Sequence, residues 1–313
     1  MPTGGGKSLI FLASGLVREG FTVIIMPIIS LIQDQMRKME DLGIPYLSTT
    51  SREGVDSKEV YSKLSLAVRE RTTNVKFLFT TPEKFSMGTA FKELLIKAYS
   101  FGMIQRFVID EAHCVSGWGH EFRPDYLVLQ TFKELFPKCQ ILALTATATK
   151  MVREDVMRIL KMDKPLYFQS SFNRTNLRYT VLRKTSRETD QLINLLELYR
   201  GMTGIIYCST TKNCDNLVEQ LALAGISSRP YHAKMDMQDR EDSLNQWISG
   251  QIKIVIATIA FGMGVDKPDV RFVIHFNLSK SIENYYQESG RAGRDGKLSD
   301  CILMYSVRDS GTY

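Results

Sequence analysis

Short apolar runs recur along the chain and alternate with longer stretches in which apolar residues have helical spacing. Runs of this length are typical of strands that are buried on both faces of a sheet. Their alternation with helices predicts a mostly parallel sheet joined by right-handed crossovers. In the first half of the chain the predicted strands are 21–26, 76–80, 106–109 and 140–145.

Helix signals fall between these runs. One helix is predicted from Ser8 to about Val17. A second follows the first strand, and Ser30 is placed to cap it while Gly43 ends it.

The alternation is interrupted over 169–176, a polar stretch rich in turn-forming residues. We place a domain boundary there and predict two domains, 1–170 and 171–313. The second half repeats the alternation, so the predicted fold class is α/β, with two lobes that each hold a mostly parallel sheet flanked by helices. Its predicted strands are 203–208, 252–257 and 271–275, and its predicted helices are 212–224 and 238–249.

Composition agrees with two folded domains. The chain has 313 residues, of which 44% are hydrophobic and 24% charged. The net charge of +6 permits a polyanionic partner without requiring one, because the basic residues are scattered. The 5 cysteines lack a C-x-x-C spacing, so we expect neither a disulfide framework nor a structural zinc site, and a reducing intracellular compartment fits best. No apolar stretch reaches the roughly 18 residues of a membrane span, and no leader opens the chain, so we expect a soluble protein without a membrane partner.

Two adjacent carboxylates follow the predicted strand 106–109. The carboxyl end of a parallel strand faces the crevice where open α/β sheets bind ligands, and Mg²⁺ prefers one or two carboxylates together with substrate phosphates. Asp110 is therefore a candidate Mg²⁺ ligand and Glu111 a candidate base for a water molecule. Taken alone, the pair has a second interpretation as a solvated turn.

A glycine-rich segment at the start of the chain supplies the missing half of such a site. Its backbone N–H groups can surround phosphate oxygens, and the N-terminus of the following helix favours negative charge. Lys7 would reach the β and γ phosphates and Ser8 the metal. The match is imperfect, because Met1 stands where the usual pattern has glycine, and a glycine-rich tail is the alternative.

In the second half, Arg291 and Arg294 follow a helical segment that begins near Ser281. Planar guanidinium groups suit phosphoryl oxygens, and an arginine from a second lobe can stabilise the charge that develops in phosphoryl transfer. A solvated basic helix end is the alternative for these two arginines taken alone.

These segments together resemble the motifs of superfamily 2 helicases and, more narrowly, of the RecQ family of DNA helicases. The segments that resemble motifs I, II, III and VI are 3–8, 110–113, 145–147 and 287–294. The segments that resemble RecQ enzymes in particular are 116–126, 171–177, 231–233, 260–270 and 285–295. The resemblance implies two RecA-like lobes, ATP and Mg²⁺ as cofactors, and a nucleotide between the lobes.

The resemblance also implies a role for each motif residue. The residues that it assigns to nucleotide binding are Thr3, Gly4, Gly5, Gly6, Lys7, Ser8 and, from the second lobe, Asp266. Those that it assigns to hydrolysis are Lys7, Asp110, Glu111, Gln287, Arg291 and Arg294, with Ser8 and Asp110 on Mg²⁺. Those that it assigns to nucleic-acid contact or coupling are Ser30, Gln33, Thr81, His113, Trp118, His120, Phe122, Arg123 and Thr145.

Physical chemistry supports part of this assignment. Trp118 and Phe122 offer faces on which bases can stack, and Arg123 offers a phosphate contact. A core position is the alternative for the two aromatic residues, and the neighbouring glycines and charges argue against it. Ser30 and Thr81, taken singly, are more often simply helix caps.

The predicted function is therefore an ATP-dependent DNA helicase that unwinds duplex DNA with 3′ to 5′ polarity, hydrolyses ATP when DNA binds and acts in repair and recombination. Its partners would be single-stranded and duplex DNA, and its location the nucleus in a eukaryote or the cytoplasm and nucleoid otherwise. Two alternatives remain, an RNA-dependent ATPase on the same frame and a catalytically inactive DNA-binding scaffold.

The chain opens inside motif I and ends at Tyr313. RecQ enzymes carry an adenine-recognition segment before this region and zinc-binding and winged-helix modules after it. We therefore expect a fragment or an incomplete gene model that holds the motor alone, with one strand edge of the first lobe unpaired.

Overall fold

The computed structural model describes residues 5–50, 57–118, 122–262, 267–307 and 309. The chain divides into two compact units, Met1–Ser170 and Ser171–Tyr313. Each unit is built around one sheet, and every strand pairing in the described residues is parallel.

The first unit holds a five-stranded sheet of order β2-β3-β1-β4-β5. Its strands are β1 (Phe21–Ile25), β2 (Tyr46–Ser48), β3 (Phe77–Thr80), β4 (Ile104–Ile109) and β5 (Gln140–Ala143). Side chains alternate across β1, so that Val23 and Ile25 join one hydrophobic cluster while Ile24 joins the other. The sheet is therefore covered on both faces, which is why its central strands are rich in apolar residues.

Helices supply the two covering layers. They are α1 (Lys7–Leu16), α2 (Ile29–Asp41), α3 (Ser57–Glu70), α4 (Pro82–Met87), α5 (Thr89–Ser100), α6 (Phe132–Leu135) and α7 (Lys150–Ile159), with 3-10 helices at Ala112–Val115 and Pro124–Thr131. Buried residues of α1 and α2 pack with Ile24, whereas those of α3, α4, α5 and α7 pack with Val23 and Ile25.

The second unit holds a six-stranded sheet of order β6-β11-β10-β7-β9-β8. Its strands are β6 (Leu177–Arg183), β7 (Thr203–Tyr207), β8 (Ser228–Tyr231), β9 (Ile254–Ala257), β10 (Val270–His275) and β11 (Ser299–Tyr305). Its helices are α8 (Glu188–Glu197), α9 (Thr211–Leu223), α10 (Met237–Ile248) and α11 (Ile282–Ser289). Buried residues of α8 and α9 pack on one face of the sheet, and Trp247 of α10 packs on the other.

The predicted α/β fold with two parallel sheets is confirmed. The predicted cap of α2 is wrong, because the helix begins at Ile29 after an N-cap at Ile28, and Ser30 lies within its first turn. The chain turns at Pro27, directly after β1, so helical backbone starts before Ser30 is reached. None of the described helices combines the length and the apolar character needed to cross a bilayer.

Candidate nucleotide site and arginine turn

The carboxyl end of β4 places Asp110 and Glu111, here called the acidic pair, directly after a buried strand. The N–H of Asp110 donates to the carbonyl of Ile25 at 2.9 Å, so the pair begins where β1 and β4 end together. Glu111 has a positive φ of 46°, a conformation that L-residues adopt rarely and that clusters at functional sites. Its N–H donates to Oδ1 of Asp110 at 3.0 Å, which fixes the two carboxylates relative to each other.

The lysine of the glycine-rich segment reaches this pair. Lys7 is the first residue of α1, and Gly6 before it adopts a left-handed φ of 83° that favours glycine. Nζ of Lys7 lies 2.8 Å from Oε1 of Glu111, in a contact that is mostly shielded from solvent. The structure therefore brings together two segments that are 104 residues apart in the chain. Gly5, Gly6 and Ser8 adjoin this contact in sequence, whereas Thr3 and Gly4 lie outside the described residues.

The two carboxyls have opposite pKa shifts. Burial, followed by the charge of Glu111, raises the pKa of Asp110 to about 6, against the opposing effect of Lys7. Burial also disfavours ionisation of Glu111, but Lys7 and His113 outweigh it, and the pKa of Glu111 is lowered from its usual value. Glu111 is thus the carboxylate of the pair that is stabilised in its charged form, as a base must be.

A histidine and a threonine join the acidic pair to the end of β5. Nδ1 of His113 lies 3.4 Å from Oε2 of Glu111 and forms a 2.9 Å hydrogen bond with Oγ1 of Thr145. The N–H of Thr147 donates to the same Oγ1 at 3.2 Å. His113 is fully buried, so this path from Glu111 to Thr145 is closed to solvent at its centre.

Two features of the acidic pair suit a water molecule and a divalent cation. Among the described residues, buried Oε2 of Glu111 has no hydrogen-bond partner, since His113 lies at ion-pair distance but outside hydrogen-bond geometry. A buried acceptor of this kind is a position for a bound water. The described residues contain no group of three His, Cys, Asp or Glu side chains arranged to hold a metal. Mg²⁺ does not need one, because it binds through one or two carboxylates and substrate phosphates, so Asp110 with the hydroxyl of Ser8 is a suitable donor set.

The segment 116–126, here called the aromatic loop, exposes the side chains of Trp118 and Phe122 and buries that of Tyr126. Trp118 is 69% exposed and Phe122 is 41% exposed, so neither is a core residue and both offer a face for stacking. The loop returns to the acidic pair, because the hydroxyl of Tyr126 donates to the backbone carbonyl of Asp110 at 3.1 Å. Nη1 of Arg123 donates to the carbonyl of Pro27 at 2.7 Å, close in sequence to the start of α2. His120 lies outside the described residues.

The other first-unit candidates follow the carboxyl ends of neighbouring strands. Ser30 is exposed and Gln33 half-buried in α2, which follows β1. Thr81 follows β3 and caps α4 by accepting a hydrogen bond from the N–H of Lys84 at 3.4 Å. Since parallel strands end at one edge of the sheet, these residues share that edge with Asp110.

In the second unit the two candidate arginines lie in residues 290–294, here called the arginine turn, directly after α11. Arg291 is only 5% exposed. Burial raises the pKa of the nearby Tyr207 overall, although the charge of Arg291 lowers that pKa. The hydroxyl of Tyr207 donates to the carbonyl of Phe261 at 2.8 Å. Arg294 and Gln287 are half-buried. Asp266 lies outside the described residues.

Other residues around the arginine turn were missed in the sequence. Oε2 of Glu288 accepts hydrogen bonds from Nε2 of His275 at 2.9 Å and from the hydroxyl of Ser279 at 2.8 Å. Arg174 and Asn176 donate to backbone carbonyls of the turn. No local spacing signals these contacts, because each depends on a partner that only the fold brings near.

Models of two protein families match the chain. The model described as "DEAD/DEAH box helicase" matches residues 1–155, and the model described as "Helicase conserved C-terminal domain" matches residues 187–296. With the two parallel sheets and the acidic pair, these matches define the class of protein as a helicase core of superfamily 2, built from two RecA-like lobes.

Curated relatives narrow the class. The chain is 45% identical to "ATP-dependent DNA helicase Q1" of Rattus norvegicus over 99% of its own length and 50% of the relative. It is 45% identical to "RecQ-like DNA helicase blm-1" of Caenorhabditis elegans, over 99% of the chain and 31% of the relative. The chain belongs to the RecQ family of helicases, as its motifs predicted. It spans about half the length of the Q1 relatives that it matches.

Solved structures agree on the fold. The S. cerevisiae protein Dbp5 bound to RNA and ADP BeF3 is 20% identical, with a TM-score of 0.68 over 100% of this chain and 79% of that one. The Mycobacterium smegmatis helicase Lhr bound to ssDNA and AMP-PNP is 19% identical, with a TM-score of 0.69 over 97% of this chain and 43% of that one. At these identities the likeness concerns the fold alone.

Proposed function

We propose that the chain is the motor of an ATP-dependent DNA helicase, which hydrolyses ATP in response to single-stranded DNA and separates duplex DNA with 3′ to 5′ polarity. The observation that carries this proposal is the contact between Lys7 and Glu111 at the carboxyl end of β4. A phosphate-binding lysine and a stabilised carboxylate base at one position are what nucleotide hydrolysis requires.

In the first step Lys7 exchanges partners. Its ammonium group pairs with Glu111, and the β and γ phosphates of ATP would offer it a more strongly charged partner. Lys7 then lies on the phosphates, and Glu111 is released to accept a proton from a water at its unpartnered Oε2. The base is therefore freed by the same event that delivers the substrate.

Asp110 and Ser8 would hold Mg²⁺ in this site. The ion supplies neutralisation of the charge that develops on the transferred phosphoryl group. Asp110 would be ionised more readily with a cation beside it, because burial and the neighbouring Glu111 otherwise oppose the charge of that carboxyl.

We assign the response to DNA to the aromatic loop and to His113. Bases stack on Trp118 and Phe122 in the proposal, and such stacking contributes about 1 to 3 kcal/mol per base. The loop is tied to Asp110 through Tyr126, and His113 connects Glu111 with Thr145. A change in the loop on DNA binding therefore has a short covalent and hydrogen-bonded route to the base.

From the second unit, Arg291, Arg294 and Gln287 would act on the nucleotide, as the motif that contains them suggests. An arginine that stabilises the transition state of phosphoryl transfer contributes about 10³ to 10⁵ in rate where it has been dissected. Three parts of the proposal rest on family membership alone. They are the polarity, the role in repair and recombination, and the location in the nucleus of a eukaryotic cell or the nucleoid of a bacterium.

The test is an ATPase assay on the 313-residue chain with single-stranded DNA, with RNA of the same base sequence and with neither, beside unwinding assays on duplexes tailed at the 3′ or the 5′ end. Stimulation by DNA and unwinding of the 3′-tailed duplex support the proposal. Stimulation by RNA alone would support an RNA-dependent ATPase. A chain that binds DNA and never hydrolyses ATP would support the inactive scaffold.

A further inference from the structure

The arginine turn is held by the segment that enters the second unit. The first unit ends at Ser170, so residues 171–176 are the first of the second unit. Within this segment, Nη1 of Arg174 donates to the carbonyl of Gly290 at 2.8 Å, and its Nη2 donates to the carbonyl of Gly293. One guanidinium group thus spans the turn, with a bond on each side of Arg291.

Asn176 reinforces the same attachment. Its Nδ2 donates to the carbonyl of Gly293 at 2.8 Å and to that of Lys297 at 2.9 Å. Gly293 has a left-handed φ of 56°, and a Cβ at this position would lie 2.5 Å from Nδ2 of Asn176 and 2.7 Å from the carbonyl oxygen of Lys297. The turn is therefore seated so closely on Asn176 that no side chain fits between them.

A second attachment fixes the other end of the turn. The side chain of Glu288 is bound by His275 and Ser279, and the carbonyl of Glu288 accepts a hydrogen bond from the N–H of Arg291 at 3.2 Å. This attachment ties the turn to the end of β10, inside the second unit. The Arg174 attachment also lies inside the second unit, but it ties the turn to the segment 171–176, which precedes β6.

We propose that Arg174 is a positioning residue for the arginine turn, so that the first residues of the second unit set the conformation of Arg291 and Arg294. A guanidinium group is suited to this role because its rigid fork presents several donors at once. A lysine ammonium at position 174 is a compact point charge that cannot reproduce that geometry. The catalytic consequence rests on the proposed function, whereas the conformational one does not.

The experiment compares Arg174→Ala and Arg174→Lys with a matched control, Arg178→Ala. Arg178 lies a few residues further along the same segment, and its guanidinium binds both carboxylate oxygens of Asp300 at 2.8 and 3.0 Å rather than the turn. We expect Arg174→Ala to lower the kcat for DNA-stimulated ATP hydrolysis by about 10²-fold, the effect of misplacing a catalytic group by about 1 Å, with little change in KM. We expect a smaller loss for Arg174→Lys and none for Arg178→Ala.

A double variant separates positioning from general damage. If Arg174 acts through the turn, removing it from an Arg294→Ala chain lowers kcat by clearly less than the loss of about 10²-fold expected in the wild-type chain, because groups that act as a unit are not additive. Full additivity of the two losses would overturn the proposal.

Amide hydrogen exchange gives a readout that needs no activity. We expect exchange in 290–294 to accelerate at least 10-fold in Arg174→Ala and to stay unchanged in Arg178→Ala, since the turn loses two of its hydrogen bonds. Unchanged exchange in Arg174→Ala would overturn the proposal. A wild-type chain without ATPase activity would instead overturn the proposed function, and the exchange measurement would still decide whether Arg174 holds the turn.

Discussion

The two units hold their charged groups by different kinds of contact. In the first unit Lys7 and Glu111 hold each other, side chain to side chain, and a nucleotide can compete for Lys7. In the second unit the arginine turn is held by hydrogen bonds to its backbone carbonyls, which leave the candidate side chains out of the attachment. The first arrangement can be switched by substrate, and the second is preorganised before substrate arrives.

The largest effect is expected when the contact between Lys7 and Glu111 is broken at Glu111, the proposed base. Glu111→Gln keeps the shape of the side chain and removes its charge, so DNA-stimulated ATP hydrolysis should fall by about 10² to 10⁴-fold, the range of general-base catalysis. ATP binding should persist, because Lys7 then no longer pairs with a charged Glu111. Turnover and the affinity for a fluorescent ATP analogue are to be measured together. The control is Glu134→Gln, which removes another lysine-paired glutamate of the first unit, on its surface.

Removing Lys7, the other partner in this contact, should change ATP binding as well as turnover. Lys7→Ala should lower both ATP affinity and turnover, the latter by about 10² to 10³-fold, as for loss of one electrostatic stabiliser. Lys63→Ala, which breaks an exposed pair with Glu59, is the control and should behave as wild type. Wild-type ATP affinity in Lys7→Ala would mean that the lysine does not bind phosphate.

The acidic pair also predicts a pH dependence of stability in metal-free buffer. Because the pKa of Asp110 in the folded chain is about 6, against 3.8 for an unperturbed aspartate, its contribution is fully present below pH 4 and is lost as pH rises through 6. Asp110→Asn removes the penalty of a buried charge, so above pH 7 the variant should be more stable to urea by on the order of 2 to 3 kcal/mol. Near pH 4 the difference should vanish. A variant less stable than wild type above pH 7 would contradict this account.

The smallest effect is expected for a variant of the aromatic loop, which tests whether the first unit responds to DNA through that loop. Trp118→Ala should weaken binding of single-stranded DNA by about 1 to 3 kcal/mol and lower stimulation, while ATP hydrolysis without DNA stays at its basal rate. Phe168→Ala, at another exposed aromatic residue of the first unit, is the control. Normal DNA affinity and normal unwinding in Trp118→Ala would remove the loop from the mechanism.

The sheets could be predicted from the sequence where burial is two-sided. All five residues of β1 and of β7 are buried, and neither strand contains a charged residue, so both stand out as short runs suited to a buried strand. The strand β6 gave no such signal, because most of its side chains are exposed at the edge of the sheet. The strand β2 has only 3 residues, too few for periodicity to register.

The residues of the candidate sites also divide into those that the sequence predicts and those that it does not. Lys7, Asp110 and Glu111 were predicted because each lies in a short motif whose spacing reflects its chemistry. Arg174 was not singled out for the site, because its partner Gly290 lies 116 residues away in the chain and is a backbone carbonyl, which any residue type supplies. The contact of His275 with Glu288 was missed for a related reason, since a histidine at a strand end has many ordinary explanations.

The most direct test of the central claim is the rate of ATP hydrolysis by this chain as single-stranded DNA is added, measured beside Glu111→Gln. The account predicts a rate that rises with DNA to saturation in wild type and stays near background in the variant. A wild-type rate that DNA does not change, or a variant that responds to DNA as wild type does, would contradict it.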